Sequence, residues 1–167
     1  MPRYFIAVEP PDDQRILIAA AMRQLGDPWP VPHITVKSPL GLSPDLKWTS
    51  RVRLVAAQVA PFIVKIGPPG TFGNRVLYLS VAGSGLVELH RRVLEAFSPV
   101  AGLDAEREFI PHLTLSISRN EQGLPPFQES VSPLQNLDPF EVSDLTVFGR
   151  EDSSSHYRSW IRLPLSK

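Results

Sequence analysis

Cysteine is missing from all 167 residues. Its absence removes disulfides, thiolate nucleophiles and Cys-type zinc sites together, and it fits a reducing cytosol. The chain also lacks an excess of either charge, since 17 Lys+Arg balance 17 Asp+Glu. Without a global positive field it has no means of holding a long nucleic-acid backbone by counterion release, so any nucleic-acid substrate is expected to be short, an end, or held at a local basic site. No segment approaches the ~20 consecutive apolar residues of a spanning helix. The opening run Met1-Pro2-Arg3-Tyr4-Phe5-Ile6-Ala7-Val8 lacks the apolar stretch and small-residue cleavage site of a signal peptide. Low-complexity tails and linkers are absent too. These absences together predict a soluble, cytoplasmic monomer with no membrane partner, residues 1–167 forming one domain or two small lobes.

Proline, by contrast, is plentiful: 18 of 167 residues, about twice the ordinary share, which stiffens loops. Between the prolines the pattern alternates strands and helices. Tyr4 to Val8 reads as a strand, and Pro10-Pro11-Asp12-Asp13 as a helix start with acidic residues in its first turn. Ile18, Ala21, Met22 and Leu25 then recur at helical spacing until Gly26. Ser43-Pro44-Asp45 predicts a second helix over residues 44–59, with Trp48, Val52, Val55 and Val59 as its apolar stripe. Phe62, Val64 and Ile66 alternate as a strand, Gly67-Pro68-Pro69-Gly70 predicts a turn, and Val76 to Val81 the returning strand. A third helix opens at Ser84 or Gly85 and carries Leu86, Leu89, Val93, Leu94 and Phe97. Residues 119–139 read as a long loop with at most one helical turn, and two final strands are expected at Phe140 to Phe148 and Tyr157 to Leu163. Interleaved strands, helices and hairpins argue for an α+β fold.

One pattern occurs twice: Val31-Pro32-His33-Ile34-Thr35-Val36 and Ile110-Pro111-His112-Leu113-Thr114-Leu115, with the histidines 79 positions apart. Coincidence accounts for two such His-x-Thr pairs at roughly half a per cent, before the prolines are counted. Side chains two apart on a strand share a face, so each copy sets His and Thr on one side and its aliphatic residues on the other. Proline has no N–H to donate and suits a strand's first residue. The order strand, helix, His-strand also appears twice, over Tyr4 to Val36 and Val76 to Leu115. That repetition predicts two pseudo-symmetric lobes of antiparallel sheet with outer helices, His-Thr faces turned to a central cleft.

These motifs resemble those of the 2H phosphoesterases, in the branch of the 2′-5′ RNA ligases and cyclic nucleotide phosphodiesterases. Gly70-Thr71-Phe72-Gly73-Asn74-Arg75-Val76-Leu77-Tyr78-Leu79 is similar to that family's Gly-x-Phe…Arg-Val-Leu-x-Leu hairpin, and the likeness spans nearly the whole chain. The resemblance implies a bilobal fold and metal-independent chemistry without a cofactor. The implied reaction is hydrolysis of RNA or nucleoside 2′,3′-cyclic phosphates to 2′-phosphates, with reversible 2′-5′ RNA joining. Related substrates are 2′-5′ oligonucleotides and ADP-ribose cyclic phosphate; an RNA-end or nucleotide binding module of low turnover is a reading from another class.

His33 and His112 are the expected catalytic pair, because one group must take a proton from water while another gives a proton to the leaving oxygen. The resemblance implies His112 as base and His33 as acid, while the residues themselves fit either division of roles. Thr35 and Thr114 would donate to the phosphate oxygens. After Thr114 a basic residue is usual three positions on in the family; Ile117 stands there, and Arg119 is a substitute candidate. Lys37 shares the His33/Thr35 face by period two and is a candidate phosphate contact, or else a solvated strand-end lysine. Phe5, Tyr78 and Trp160 are candidate base-stacking residues with core packing as the alternative, and Tyr157 is a candidate substrate contact with plain loop chemistry as the alternative. His90 reads as a helix-surface or boundary histidine, and His156 as a loop residue or, alternatively, a substrate contact.

Overall fold

A computed structural model describes residues 1–97 and 108–167. Along them run β1 (Arg3–Val8), α1 (Asp12–Gln24), β2 (Ile34–Lys37), α2 (Thr49–Ala56), β3 (Phe62–Phe72), β4 (Val76–Ala82), α3 (Ser84–Ala96), β5 (His112–Ile117), α4 (Gln128–Val131), β6 (Phe140–Val142), β7 (Asp144–Arg150) and β8 (Arg158–Pro164). Two four-stranded sheets result, ordered β2-β1-β7-β8 and β5-β4-β3-β6. Every pairing is antiparallel. This is the α+β, two-lobed arrangement expected, and β2, which His33 immediately precedes, and β5, which His112 opens, each lie at the edge of a sheet.

The periodicities place the core as read. Ile18, Ala21 and Met22 of α1 and Leu86, Leu89 and Val93 of α3 are buried, joined by Ile6 and Ile34 from one sheet and Leu79 and Leu113 from the other in one continuous cluster. Each such side chain contributes on the order of 1.5–3 kcal/mol by leaving water. Both helices also cross between lobes. α1, which leaves the first sheet, packs on β5 of the second, and α3, which leaves the second, packs on β2 of the first. Among the described residues no helix is long and apolar enough to cross a membrane.

Three expectations fail, each for a local reason. The helix foreseen over 44–59 spans only Thr49–Ala56. Ahead of it Ser43 Oγ donates to Asp45 Oδ1, which also accepts the Lys47 N–H at 3.0 Å, and Leu46 adopts φ +60°. These side-chain bonds offer the backbone an alternative to helix, and a left-handed residue breaks it. The turn foreseen at Gly67-Pro68-Pro69-Gly70 is instead continuous strand: β3 runs on to Phe72 with a register irregularity between Ile66 and Pro69. Pairing with β6 stops at Val64, so the prolines sit where no second neighbour asks for their missing N–H. The chain reverses at Gly73, whose φ of +57° suits glycine. Finally, Phe140 to Phe148 is two strands, not one. β6 pairs with β3 and β7 with β1 and β8, so Ser143 is where the chain leaves one sheet for the other.

Candidate active site

Each His-x-Thr-x element ends in a bulge at the same place. Thr35 pairs with Ala7 and Lys37 with Ile6, which leaves Val36 as the extra residue. In the other lobe Thr114 pairs with Tyr78 and Ser116 with Leu77, leaving Leu115. Up to the bulge the alternation holds: Ile34 and Leu113 are wholly buried, while His33, Thr35, His112 and Thr114 are half-buried. Beyond it the alternation breaks, since an inserted residue re-aims the side chains after it. That explains the placement of Lys37. Rather than sharing the His33/Thr35 face, it is 1% exposed, and its Nζ donates to the backbone oxygens of Ser38 and Leu40. Lys37 is thus corrected from a phosphate contact to an interior lysine that caps carbonyls.

The two imidazoles are held alike. His33 Nδ1 donates to the Val31 carbonyl at 2.6 Å and His112 Nδ1 to the Ile110 carbonyl at 2.7 Å, in both cases reaching back over the intervening proline. A carbonyl only accepts, so Nδ1 carries the hydrogen and Nε2 is the atom available for proton transfer. Their surroundings differ. Phe5 lies 4.5 Å from the His33 ring and Phe148 5.7 Å. Phe72 and Tyr78 stand at 5.2 and 5.5 Å from His112. Burial pushes the pKa of His33 below its ordinary value; the hydrogen bond to Val31 opposes the shift, repulsion from His112 adds to it, and Glu9 draws it back up. That repulsion also means that the two imidazoles sense one another, in keeping with the packing of β2 on β5.

A cleft of ≈ 1010 Å³ opens between the sheets and brings together Phe5, His33, Thr35, Thr114, Arg119 and Tyr157. His112 stands beside Tyr78 and Phe72 rather than in the lining. Trp160 lies elsewhere, edge-on to Tyr4 at 5.6 Å. His90 donates to the Val36 carbonyl at 2.7 Å and stacks on Phe109. Three cleft residues escaped the sequence reading or were set aside in it: Trp29, Arg150 and His156. An aromatic between two prolines, Pro28-Trp29-Pro30, was the available signal for the first. Among the described residues no three His, Cys, Asp or Glu side chains gather in a way that would hold a metal ion.

Two imidazoles presenting Nε2, with hydroxyls two residues along each strand, can move one proton in and one proton out around an anion. Known proteins match this frame. Residues 10–154 match the family model described as the 2′-5′ RNA ligase superfamily. An RNA 2′,3′-cyclic phosphodiesterase of Methanocaldococcus jannaschii is 27% identical over 122 residues, covering 70% of this chain and 69% of that protein. LigT of E. coli in its apo form superimposes with TM-score 0.66 at 20% identity, covering 100% of this chain and 99% of that one. A protein of Thermus thermophilus gives 0.70 at 20% identity, covering 98% and 97%. E. coli LigT has also been crystallised with 3′-AMP.

Proposed function

Because the chain belongs to the 2′-5′ RNA ligase superfamily, we propose that it opens 2′,3′-cyclic phosphates at RNA or nucleoside ends, without a metal, in the cytoplasm and as a monomer. The observation that carries this reading is the pair of His-x-Thr edge strands, each with its Nδ1 tied to a carbonyl. In the hydrolytic direction His112 Nε2 takes a proton from water as the water oxygen bonds to phosphorus. The bond from phosphorus to O3′ breaks, and His33 Nε2–H gives its proton to that oxygen, leaving a 2′-phosphate and a 3′-hydroxyl. With a 5′-hydroxyl in place of water the same steps yield a 2′-5′ linkage. Thr35 and Thr114 donate to the non-bridging oxygens and stabilise the charge that builds there. Burial lowers the pKa of His33, so its acid role depends on the bound anion, which favours the charged imidazole until transfer.

Turnover of a nucleoside 2′,3′-cyclic phosphate in the presence of EDTA tests the reading. His33→Ala and His112→Ala should each slow it by roughly 10²- to 10⁴-fold while leaving the thermal melt intact. A phosphodiester with a nitrophenolate leaving group needs no proton donor, so it should restore most of the loss in His33→Ala and little of it in His112→Ala. Inhibition by EDTA, or full activity in either alanine variant, would refute the mechanism. Tight binding without turnover would make the protein an RNA-end binding module instead.

A further inference from the structure

One wall of the cleft carries groups that the His-Thr quartet does not use. Arg150, at the end of β7, lays its guanidinium over the Tyr157 ring, 4.8 Å from Cζ to the centroid. Its buried Nε has no hydrogen-bond partner among the described residues. That Nε is closed off from the cleft, but Arg150 is one of the residues that line it, so the guanidinium meets a ligand through its terminal N–H groups. Tyr157 meets Phe5 edge-on at 4.8 Å, and Phe5 in turn lies 4.5 Å from His33. Arg150 therefore stands two rings away from a catalytic imidazole.

The neighbouring rim is aromatic. His156 stacks on Trp29 with centroids 4.6 Å apart and planes 25° from parallel, yet the indole remains 61% exposed. Prolines flank Trp29, and Asp27 Oδ1 accepts its backbone N–H at 2.9 Å, so the ring is displayed on a stiff loop with little ordering entropy left to lose. All these residues line one cavity whose ≈ 1010 Å³ reaches the top of the ~300–1,000 Å³ range of pockets that enclose a whole small ligand. Its charged lining consists of Arg119, Arg150 and Asp27, a local positive excess in a chain whose charges otherwise cancel.

We propose that Arg150 on Tyr157, together with the Trp29–His156 stack, forms a second nucleotide subsite. Arg150 takes the phosphodiester that joins the terminal nucleotide to the one before it, and Trp29 takes the base of that preceding nucleotide. The inference rests on the cyclic-phosphate reading above. A cyclic phosphate closes the 3′ end, so any further nucleotide must extend to the 5′ side, and the substrate class is the end of an oligoribonucleotide. A planar guanidinium matches phosphate through paired N–H groups. A stacked base adds about 1–3 kcal/mol whatever its identity, so the subsite discriminates by length rather than sequence.

Rates on a nucleoside 2′,3′-cyclic phosphate and on a dinucleotide ending in the same group test this, for the parent, Trp29→Ala and Arg150→Met. The parent should prefer the dinucleotide by about tenfold or more in kcat/KM, the equivalent of one stacked base, and each substitution should remove most of that preference through KM. No preference in the parent, or a preference that neither substitution moves, overturns the subsite. Should the parent hydrolyse neither compound, the hydrolase reading fails while the subsite stays testable. A dinucleotide bearing a terminal phosphate should then quench parent fluorescence, and Trp29→Phe and Arg150→Met should each abolish that change. Quenching that persists in both variants, or is absent from the parent, counts against it.

Discussion

At the scale of single residues, the prolines before the histidines do more than open strands. Each stands between a histidine and the carbonyl that its Nδ1 engages, so the motif fixes its own tautomer from within three residues. The sequence showed the two histidines with Thr35 and Thr114, because alternation along a strand dictates which side chains share a face, but not the bonds from Nδ1 to the Val31 and Ile110 carbonyls. Lys37 was misread because period two assumes that no residue is inserted. Trp29 and Arg150 were missed because a loop aromatic and a strand-end arginine acquire meaning only when distant segments meet. The environment of His33 gives a pH prediction. In the unfolded chain His33 titrates near 6.5; in the folded protein burial lowers that value. Its contribution to stability is therefore fully present above pH 6.5 and lost as pH falls through that value toward the folded pKa, where the unfolded state gains the proton first. His33→Asn, which keeps a donor for Val31, should lessen the decline in urea-unfolding free energy as pH falls below about 6.5. An equal decline in both proteins would show that the folded imidazole titrates as freely as the unfolded one.

At the scale of elements, the two bulges explain both the likeness of the lobes and a histidine outside the chemistry. Val36, the residue inserted in β2, is left out of the β1 ladder, so its carbonyl needs another partner. His90 of α3 supplies one from the opposite lobe at 2.7 Å, with its ring stacked on Phe109 at 3.8 Å. The sequence indicated that His90 lay at a helix boundary and not in the site, yet it gave no hint of the carbonyl, since bulges leave no composition signature. Much the same holds for Ser143, where a continuous alternation conceals a change of sheet. Replacing His90 by Ala strands the Val36 oxygen, so stability should fall by about 1–3 kcal/mol in urea denaturation. His90→Gln, which can still donate to that carbonyl, should recover part of the loss. A variant as stable as the parent would mean that water or a shifted strand serves the carbonyl equally well.

For the whole molecule, pseudo-symmetry was legible from the repeated order of strand, helix and His-strand, whereas the exchange of helices between lobes was not. An apolar stripe says which face of a helix is buried and leaves open which sheet covers it. In the folded chain α1 rests on β5 and α3 on β2. One sheet is drawn from both ends of the chain (β1, β2, β7 and β8) and the other from its middle. Neither lobe can then shed its partner without exposing a helix face and part of a shared core, and the cost of doing so couples the two. Unfolding should accordingly be a single transition. Trp48 and Trp160 belong to the half that holds the first sheet: Trp48 is buried against Tyr4, and Trp160 lies on β8. Their fluorescence reports mainly on that half, while far-UV circular dichroism reports on both. Coincident midpoints from the two probes are expected, and His90→Ala should shift both midpoints together. Were fluorescence to move while the dichroism midpoint held, the lobes would be unfolding separately, and the grip of α3 on β2 would be too weak to couple them.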